Sequence, residues 1–199
     1  MVVRVQPRTA VITGAPGSGK TALLAELAHR GWRIVPEAAR AILREPGGMA
    51  LRQDNPLGFA QQMLAREIAD LDAVRDDGRW TIFDRGIGDT IGFLRLSGLL
   101  SGLDSTRWND GPRYSGPVFF APGWEAIYHP DAERIQTWTE AIASGAAVAE
   151  GWRSEGFELV ELPLATVNER ADIVEARLSE VRGLRPAPAI APPSAPTAC

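Results

Sequence analysis

Residues 9–21 constrain this chain more than any other stretch, because a short apolar run leads there into a loop with fixed residue types. Gly14 ends the run, and Gly19, Lys20 and Thr21 complete a Gly-x-x-x-x-Gly-Lys-Thr pattern. Glycines let the backbone curl until successive N–H groups point inward at an anion. In such phosphate loops the lysine reaches the outer phosphates of a nucleotide, and the threonine hydroxyl ligates Mg²⁺. The next residues have helical spacing, so a helix N-terminus would add its dipole to the site.

A chance match is the competing interpretation of this loop. A random chain of similar length would match the four fixed positions roughly once in a hundred. Lys20 is the only lysine in the sequence. Apart from histidine, every other basic residue is an arginine. A compact point charge therefore occurs only where a phosphate loop uses one. We expect nucleotide binding, through Gly14, Ala15, Pro16, Gly17, Ser18, Gly19, Lys20 and Thr21.

Composition limits the remaining function classes. With 199 residues we expect one domain over residues 1–184 and a disordered tail over 185–199, where Pro and Ala dominate. The net charge of −4 gives no electrostatic reason to expect nucleic acid or anionic membrane as a partner. The sequence has no long apolar run and no recognisable signal peptide. Cys199 is the single cysteine, which excludes an internal disulfide. We expect a cytoplasmic location.

Apolar strands alternate with amphipathic helices along the chain. This pattern predicts an α/β fold of the P-loop NTPase type, a three-layer sandwich with a five-stranded parallel sheet and helices on both faces. The glycines within 87–99 predict a weak helix there, and residues 100–115 look polar and turn-rich. Strands are expected at 9–13, 32–37, 80–84, 117–121 and 157–162, and helices at 20–30, 38–44, 56–75, 87–99, 131–153 and from 166 onward. Asn55 before Pro56 predicts a capped helix start, and Thr166 with Glu169 fits a capping box.

Polar residues follow the predicted strands at the edge where parallel sheets bind their ligands. Asp84 ends the third strand, where it can hold Mg²⁺ directly or through water, or can simply be a turn residue. Arg85 follows it, where motor and remodelling ATPases commonly have a Glu that orients water. A cation at that position favours phosphoryl transfer over fast hydrolysis. Glu37 ends the second strand and could activate an acceptor hydroxyl, or form an ion pair with Arg40 or Arg44.

Residues 121–134 precede a predicted helix and hold two aromatic residues and an arginine. In small phosphotransferases this region often forms a lid that brings an arginine to the phosphates and excludes water. Arg134 is the candidate for that catalytic role. The alternative is that Trp124 and Tyr128 are partly buried core residues.

Four blocks of sequence carry a resemblance to a known family. They read Gly-Ala-Pro-Gly-Ser-Gly-Lys-Thr at 14–21, Val-Pro-Glu-Ala-Ala-Arg at 35–40, Phe-Asp-Arg-Gly at 83–86 and Phe-Ala-Pro-Gly-Trp-Glu at 120–125. In this order they resemble small P-loop ATPase or AAA-domain proteins related to the ribosylnicotinamide-kinase-like domain of the NAD biosynthesis regulator. The second and third blocks are also similar to those of deoxynucleoside and thymidylate kinases.

The resemblance spans about residues 9–182 and implies a nucleoside-kinase-like architecture with small-molecule kinase activity. In deoxynucleoside kinases the matching glutamate, here Glu37, serves as base. The matching arginine, here Arg85, contacts phosphate or acceptor. For Arg134 the resemblance implies a role only through its place in the lid region.

Two function classes remain. The leading hypothesis is a kinase that transfers the γ-phosphate of MgATP to a hydroxyl of a nucleoside- or nucleotide-like acceptor. The alternative is a slow ATPase that acts as a nucleotide-dependent switch and binds a protein partner. A guanine-selective GTPase is disfavoured because its Asn-Lys-x-Asp base reader needs a second lysine. A ring-forming remodelling ATPase is disfavoured because no Asp-Glu pair ends the third strand.

Overall fold

The computed structural model describes residues 7–109, 113–128 and 137–180, in which five strands alternate with helices. The strands are β1 (Thr9–Gly14), β2 (Arg33–Val35), β3 (Thr81–Asp84), β4 (Val118–Ala121) and β5 (Leu159–Glu161). The helices are α1 (Lys20–His29), α2 (Ala38–Leu43), α3 (Gly48–Asp54), α4 (Pro56–Ala73), α5 (Ile87–Leu96), α6 (Thr106–Asn109), α7 (Trp138–Ser154) and α8 (Val167–Glu180). Every strand pair is parallel, in the order β2-β3-β1-β4-β5. The predicted five-stranded parallel sheet is confirmed.

Alternating side chains of the sheet point into two separate cores, because successive residues of a strand face opposite sides. Ala10 and Ile12 of β1 pack with apolar residues of α1 and α8. Val11, between them, packs with residues of α4, α5 and α7. Full burial of side chains as large as those of Val11 and Ile12 contributes about 1.5–3 kcal/mol each to folding. The predicted three-layer sandwich therefore follows from the burial of β1 on both faces.

Helices α5 and α7 approach each other closely because glycines line their contact. A Cβ atom at Gly92 would lie 2.8 Å from the backbone of Val148, and one at Gly151 would lie 2.2 Å from the Gly88 carbonyl oxygen. The glycines that predicted a weak helix over 87–99 are thus packing residues of a buried one. Their lower helix propensity is offset by burial against α7.

Two segments differ from the sequence-based expectation. Helix α3, which begins at Gly48, was not predicted. Leu51 of α3 packs against a small apolar cluster of α2 and α4, and this contact stabilises the helix. The stretch 100–115, expected to be polar and turn-rich, contains Trp108 and Tyr114, which are 0% and 5% exposed. Its aromatic residues complete the core beneath α5 and α7.

The other predicted helix starts and ends agree with the structure within about three residues. The predicted helix start at 131 and the predicted disordered tail over 185–199 lie outside the described residues. Asn55 caps α4, where its side chain accepts a hydrogen bond from the backbone N–H of Gly58 at 2.9 Å. Thr166 and Glu169 form the predicted capping box of α8 through reciprocal side chain to backbone bonds. Among the described residues, none of the helices has the length and apolar character required to cross a membrane.

Candidate functional site

The loop between β1 and α1 lies at the carboxyl edge of the sheet, as predicted. Gly14 closes β1 opposite Ala121 of β4 with φ of 136°. A Cβ atom at Gly14 would lie only 2.0 Å from the Ala121 carbonyl oxygen, so no other residue fits without a backbone shift. Gly17 and Gly19 also have positive φ, 74° and 80°. These conformations curl the loop toward the N-terminus of α1, which begins at Lys20.

Lys20 is buried inside this loop, with 8% of its surface exposed. Its Nζ donates to the carbonyl oxygens of Gly14 at 3.1 Å and Ala15 at 2.6 Å, and to Ser18 Oγ at 3.2 Å. Burial, followed by the positive charge of Arg85, lowers the pKa of Lys20 well below its usual value. All three of these acceptors are neutral, so a bound phosphate group would give the ammonium an anionic partner. The loop therefore fits a nucleotide polyphosphate.

Asp84 ends β3 next to this loop, in register with Ile12 of β1. Burial and the charge of Glu37 raise the pKa of Asp84 to about 6, against the opposing effects of Arg85 and Lys20. Glu37 follows β2 by two residues and directly precedes α2. The structure thus brings together the two predicted carboxylates from separate strand ends.

Arg85 has a left-handed backbone with φ of 71°, the only positive φ of a non-glycine residue in the described part of the chain. Its Nη1 donates to the Gly14 carbonyl oxygen at 3.3 Å, and its Nε lies 3.4 Å from Glu37 Oε1. Although burial opposes the charge, the carboxylates of Asp89 and Glu37 raise the pKa of Arg85. The strained backbone and these contacts hold a permanent cation against the phosphate loop.

Asp89 is a site residue that the sequence analysis missed. It is 4% exposed on the first turn of α5, and its Oδ1 accepts a hydrogen bond from Arg85 Nη1 at 2.5 Å. Thr13 Oγ1 contacts both carboxylate oxygens at 2.7–2.8 Å, and Trp152 Nε1 donates to Oδ2 at 3.1 Å. The sequence contained one signal for it, because Asp89 lies three residues after Gly86, the position at which an acidic residue often caps the start of a helix. Asp89 therefore orients Arg85 and joins β1 to α5 and α7.

The ion pair proposed as the alternative role of Glu37 exists and does not exclude a catalytic role. Arg40 Nε lies 3.7 Å from Glu37 Oε2, while Arg85 approaches the other oxygen. The Glu37 side chain is 20% exposed, so a small molecule can reach it. Arg44 is exposed and forms no ion pair with the described residues. Glu37 thus lies between two arginines at the open edge of the site.

Thr21 and Asp84 are the residues that could hold Mg²⁺. Thr21 is exposed at the start of α1, and Asp84 is half-buried across the loop. Within the described ranges, no group of three or more His, Cys, Asp or Glu side chains could hold a metal by itself. Mg²⁺ commonly needs only one or two protein ligands and completes its shell with nucleotide phosphates and water. The donor set fits an ion that arrives with a nucleotide.

The segment after β4 covers the phosphate loop. A Cβ atom at Gly17 would lie 2.5 Å from the Tyr128 ring, and one at Gly19 would lie 3.3 Å from Ile127 Cδ1. Tyr128 also packs edge-on against Trp138 with ring centroids 5.3 Å apart. Trp124 and Tyr128 are half-buried, which fits both a lid and the alternative of partly buried core residues. Arg134, the predicted lid arginine, lies outside the described residues.

Comparisons with known proteins agree with the observed fold. An AAA domain family, AAA_28, matches residues 9–170. No curated protein sequence matches the chain. A deoxyadenosine kinase from M. mycoides is similar in structure, with 16% identity, a TM-score of 0.64 and coverage of 87% of this chain and 100% of that one.

Two further solved structures are similar. The thymidylate kinase from Candida albicans has 13% identity, a TM-score of 0.62 and coverage of 88% of this chain and 92% of that chain. A NadR protein in complex with NR has 12% identity, a TM-score of 0.68 and coverage of 93% of this chain and 54% of that chain. These likenesses identify the fold as the nucleoside-kinase-like P-loop fold. By its match over residues 9–170, the chain belongs to the AAA domain family AAA_28.

Proposed function

We propose that the protein is a small-molecule kinase, which transfers the γ-phosphate of MgATP to a hydroxyl of a nucleoside- or nucleotide-like acceptor. One observation carries this proposal. Four charged side chains meet at one edge of the sheet: Lys20, Asp84, Arg85 and Glu37. The resemblance in fold to deoxyadenosine and thymidylate kinases supports the acceptor class. Bound MgATP would supply the phosphoryl group.

Each residue of the site has a distinct role in this proposal. Lys20 and the loop backbone hold the phosphate chain, and Thr21 with Asp84 holds the metal. Arg85, fixed by Asp89, places positive charge beside the group in transfer. Because the arginine charge is pre-oriented, it needs no rearrangement when negative charge moves between oxygens. Catalysis would then rest on positioning and electrostatics, as is usual for phosphoryl transfer.

Glu37 acts on the acceptor side. Its carboxylate accepts the hydroxyl proton as the acceptor oxygen forms a bond to phosphorus and the bond from phosphorus to the leaving oxygen breaks. The two arginines beside Glu37 hold its orientation, and its exposed fraction leaves room for the acceptor. Arg85, rather than a glutamate, follows Asp84, so this position lacks the side chain that orients an attacking water in hydrolytic relatives. Transfer to a bound hydroxyl is therefore favoured over hydrolysis.

The test is Glu37→Gln in the full-length chain, since glutamine keeps the size of the side chain and loses its basicity. We expect ATP affinity within about twofold of the wild type and acceptor phosphorylation lower by about 10²–10⁴-fold, the usual contribution of a general base. Arg44→Gln is the matched control, because Arg44 is exposed at the end of α2 and forms no ion pair with the described residues. Unchanged turnover in Glu37→Gln would reject the catalytic role of Glu37.

The alternative, a slow ATPase that acts as a nucleotide-dependent switch, is supported by the segment that covers the phosphate loop. Ile127 and Tyr128 lie against Gly19 and Gly17, so nucleotide binding would move or reorder them. A switch of this kind would hydrolyse ATP at a rate that no small acceptor changes. A protein partner would then bind the ATP and ADP forms with different affinity.

A further inference from the structure

Arg170 is a buried cation that reaches the phosphate loop from α8, at a different carbonyl oxygen from the one that Arg85 contacts. It lies on the first turn of α8 and is 2% exposed. Its Nη1 donates to the carbonyl oxygen of Ser18 at 2.9 Å. The same nitrogen lies 3.1 Å from the position that a Cβ atom of Gly19 would occupy. Helix α8 therefore contributes a positive charge directly to the loop.

No carboxylate balances this charge among the described residues. Nε of Arg170 is buried without a hydrogen-bond partner, and burial is the cause that lowers its pKa. The other strongly desolvated arginine, Arg85, has carboxylates on both sides. Burying a cation with neither an anion nor a full set of acceptors is costly. Burial of Arg170 therefore lowers the stability of the fold, which suggests that the residue is kept for another role.

The position of Arg170 within its helix adds to this cost. Its backbone N–H closes the first turn of α8 by donating to the Thr166 carbonyl oxygen at 3.1 Å. The N-terminus of a helix carries partial positive charge, so an arginine there is disfavoured and a carboxylate is favoured. Glu169, in the same turn, follows that rule and points its carboxylate at Thr166. A neutral side chain could anchor the loop carbonyl of Ser18 without this penalty.

We propose that Arg170 is a nucleotide-binding residue whose guanidinium contacts the phosphate chain of a nucleotide held in the loop. Its buried and partnerless Nε, its contact with Ser18 and its nearness to Gly19 together carry the assignment. A guanidinium has five N–H donors, and only one is engaged by the described residues, so donors remain for phosphate oxygens. Bound phosphate would provide the anion that the folded protein lacks at this point.

This inference rests on the proposed binding of ATP, and its test is designed so that the two can fail separately. The full-length wild type is compared with Arg170→Met, which removes the charge at similar size, and with Arg170→Lys, which retains it. Arg177→Met is the matched control on the same helix, since Arg177 is exposed and pairs with Glu180. Calorimetric titrations with ATP, ADP, inorganic triphosphate and adenosine give the affinities at low and high NaCl.

We expect Arg170→Met to weaken binding of ATP, ADP and triphosphate by about 10- to 100-fold, the effect of charge-assisted hydrogen bonds. Adenosine binding should be unchanged, and the loss of ATP affinity with added salt should be smaller than in the wild type. Arg170→Lys should restore the salt dependence and part of the affinity. Arg177→Met should match the wild type in every titration.

Three results would overturn the inference. Equal ATP affinity and salt dependence in Arg170→Met, with only a lower unfolding temperature, would make Arg170 an anchor of the loop. Weaker adenosine binding with unchanged triphosphate binding would place the guanidinium on the base instead of the phosphates. If the wild type bound none of the nucleotides, the proposed function would fail and this inference with it. In the first two cases only the role of Arg170 is rejected.

Discussion

Arg85 and Asp89 form a buried ion pair across four residues of sequence, with Nη1 of Arg85 2.5 Å from Oδ1 of Asp89. Asp89 is in turn fixed by Thr13 of β1 and Trp152 of α7. The cation that faces the phosphate loop is therefore oriented by three different elements. This rigidity is what electrostatic stabilisation of a transferring phosphoryl group requires.

Asp89→Asn should strongly destabilise the protein. The variant leaves Arg85 buried without its nearest carboxylate, and breaking one partner of a buried pair typically costs about 3–5 kcal/mol. The free energy of unfolding from urea titrations measures the loss. Glu45→Gln is the control, since its ion pair with Arg66 is exposed and should contribute about 0–1 kcal/mol. Equal effects of the two substitutions would refute the central role of Asp89.

Glu67→Gln should alter how stability depends on pH. Glu67 is 5% exposed on α4, accepts from Thr90 Oγ1 at 3.3 Å, and has no partner for Oε2. Burial and the charge of Asp89 raise the pKa of Glu67 well above its usual 4.5. Between these two pKa values the folded protein binds more protons than the unfolded one. The contribution of Glu67 to the free energy of unfolding should therefore fall as pH rises from about 4.5 upward.

Glutamine stays neutral at every pH, so Glu67→Gln should gain stability relative to the wild type as pH rises through this window. Thermal unfolding of both proteins at a series of pH values from 4 to 9 measures the difference. Glu150→Gln, on the exposed side of α7, is the control and should remain parallel to the wild type. A constant difference between Glu67→Gln and wild type across the series would contradict the raised pKa.

Gly92→Ala should destabilise the protein, although alanine is the better helix former by about 1 kcal/mol. The added Cβ would lie 2.8 Å from the Val148 backbone, which cannot move without separating α5 from α7. Overpacking of this kind typically costs about 1–3 kcal/mol. Arg95→Ala, exposed on the same helix, should change the free energy of unfolding by less than about 0.5 kcal/mol. A stabilised Gly92→Ala would show that the helix contact tolerates a methyl group.

Removal of magnesium should weaken ATP binding in the wild type much more than in Asp84→Asn. The carboxylate is the only charged protein ligand proposed for the ion, and loss of a residue that acts even through a bound water typically lowers metal affinity by about 10- to 100-fold. ATP titrations with MgCl₂ and with EDTA measure the magnesium-dependent part of the affinity. Asp77→Asn, in the exposed turn before β3, should retain the wild-type response. An undiminished response in Asp84→Asn would remove Asp84 from the metal site.

Local patterns were sufficient to predict the parts of the molecule that local chemistry determines. The predicted second strand runs two residues too far, because β2 ends at Val35 and Glu37 is the N-cap residue of α2. The phosphate loop, the strand end at Asp84, and the capping residues Asn55 and Thr166 all follow from residue type at fixed spacing. Each depends on interactions within about one turn or one strand, so a single sequence contains the whole signal.

Long-range contacts account for what the sequence did not predict. Asp89 looked like an ordinary acid in a glycine-rich helix, because its partners Thr13 and Trp152 are 76 and 63 residues away. Trp108 lies in a stretch whose neighbours are polar, and only the assembled core shows that it is buried. Arg170 likewise reaches Ser18 across 152 residues. Packing of distant elements, which no local pattern encodes, determines the role of each.

The central claim is that the protein transfers phosphate to a small hydroxyl acceptor. The most direct measurement incubates the full-length protein with MgATP and pooled nucleosides, nucleotides and pyridine-nucleotide precursors, and reads the products by mass. Lys20→Ala, which lacks the ammonium inside the loop, is the blank. We predict an acceptor heavier by one phosphoryl group, formed with an equal amount of ADP and absent in the blank. ADP formed only at a slow rate that no pool changes, with no phosphorylated acceptor, would contradict the kinase and favour the switch.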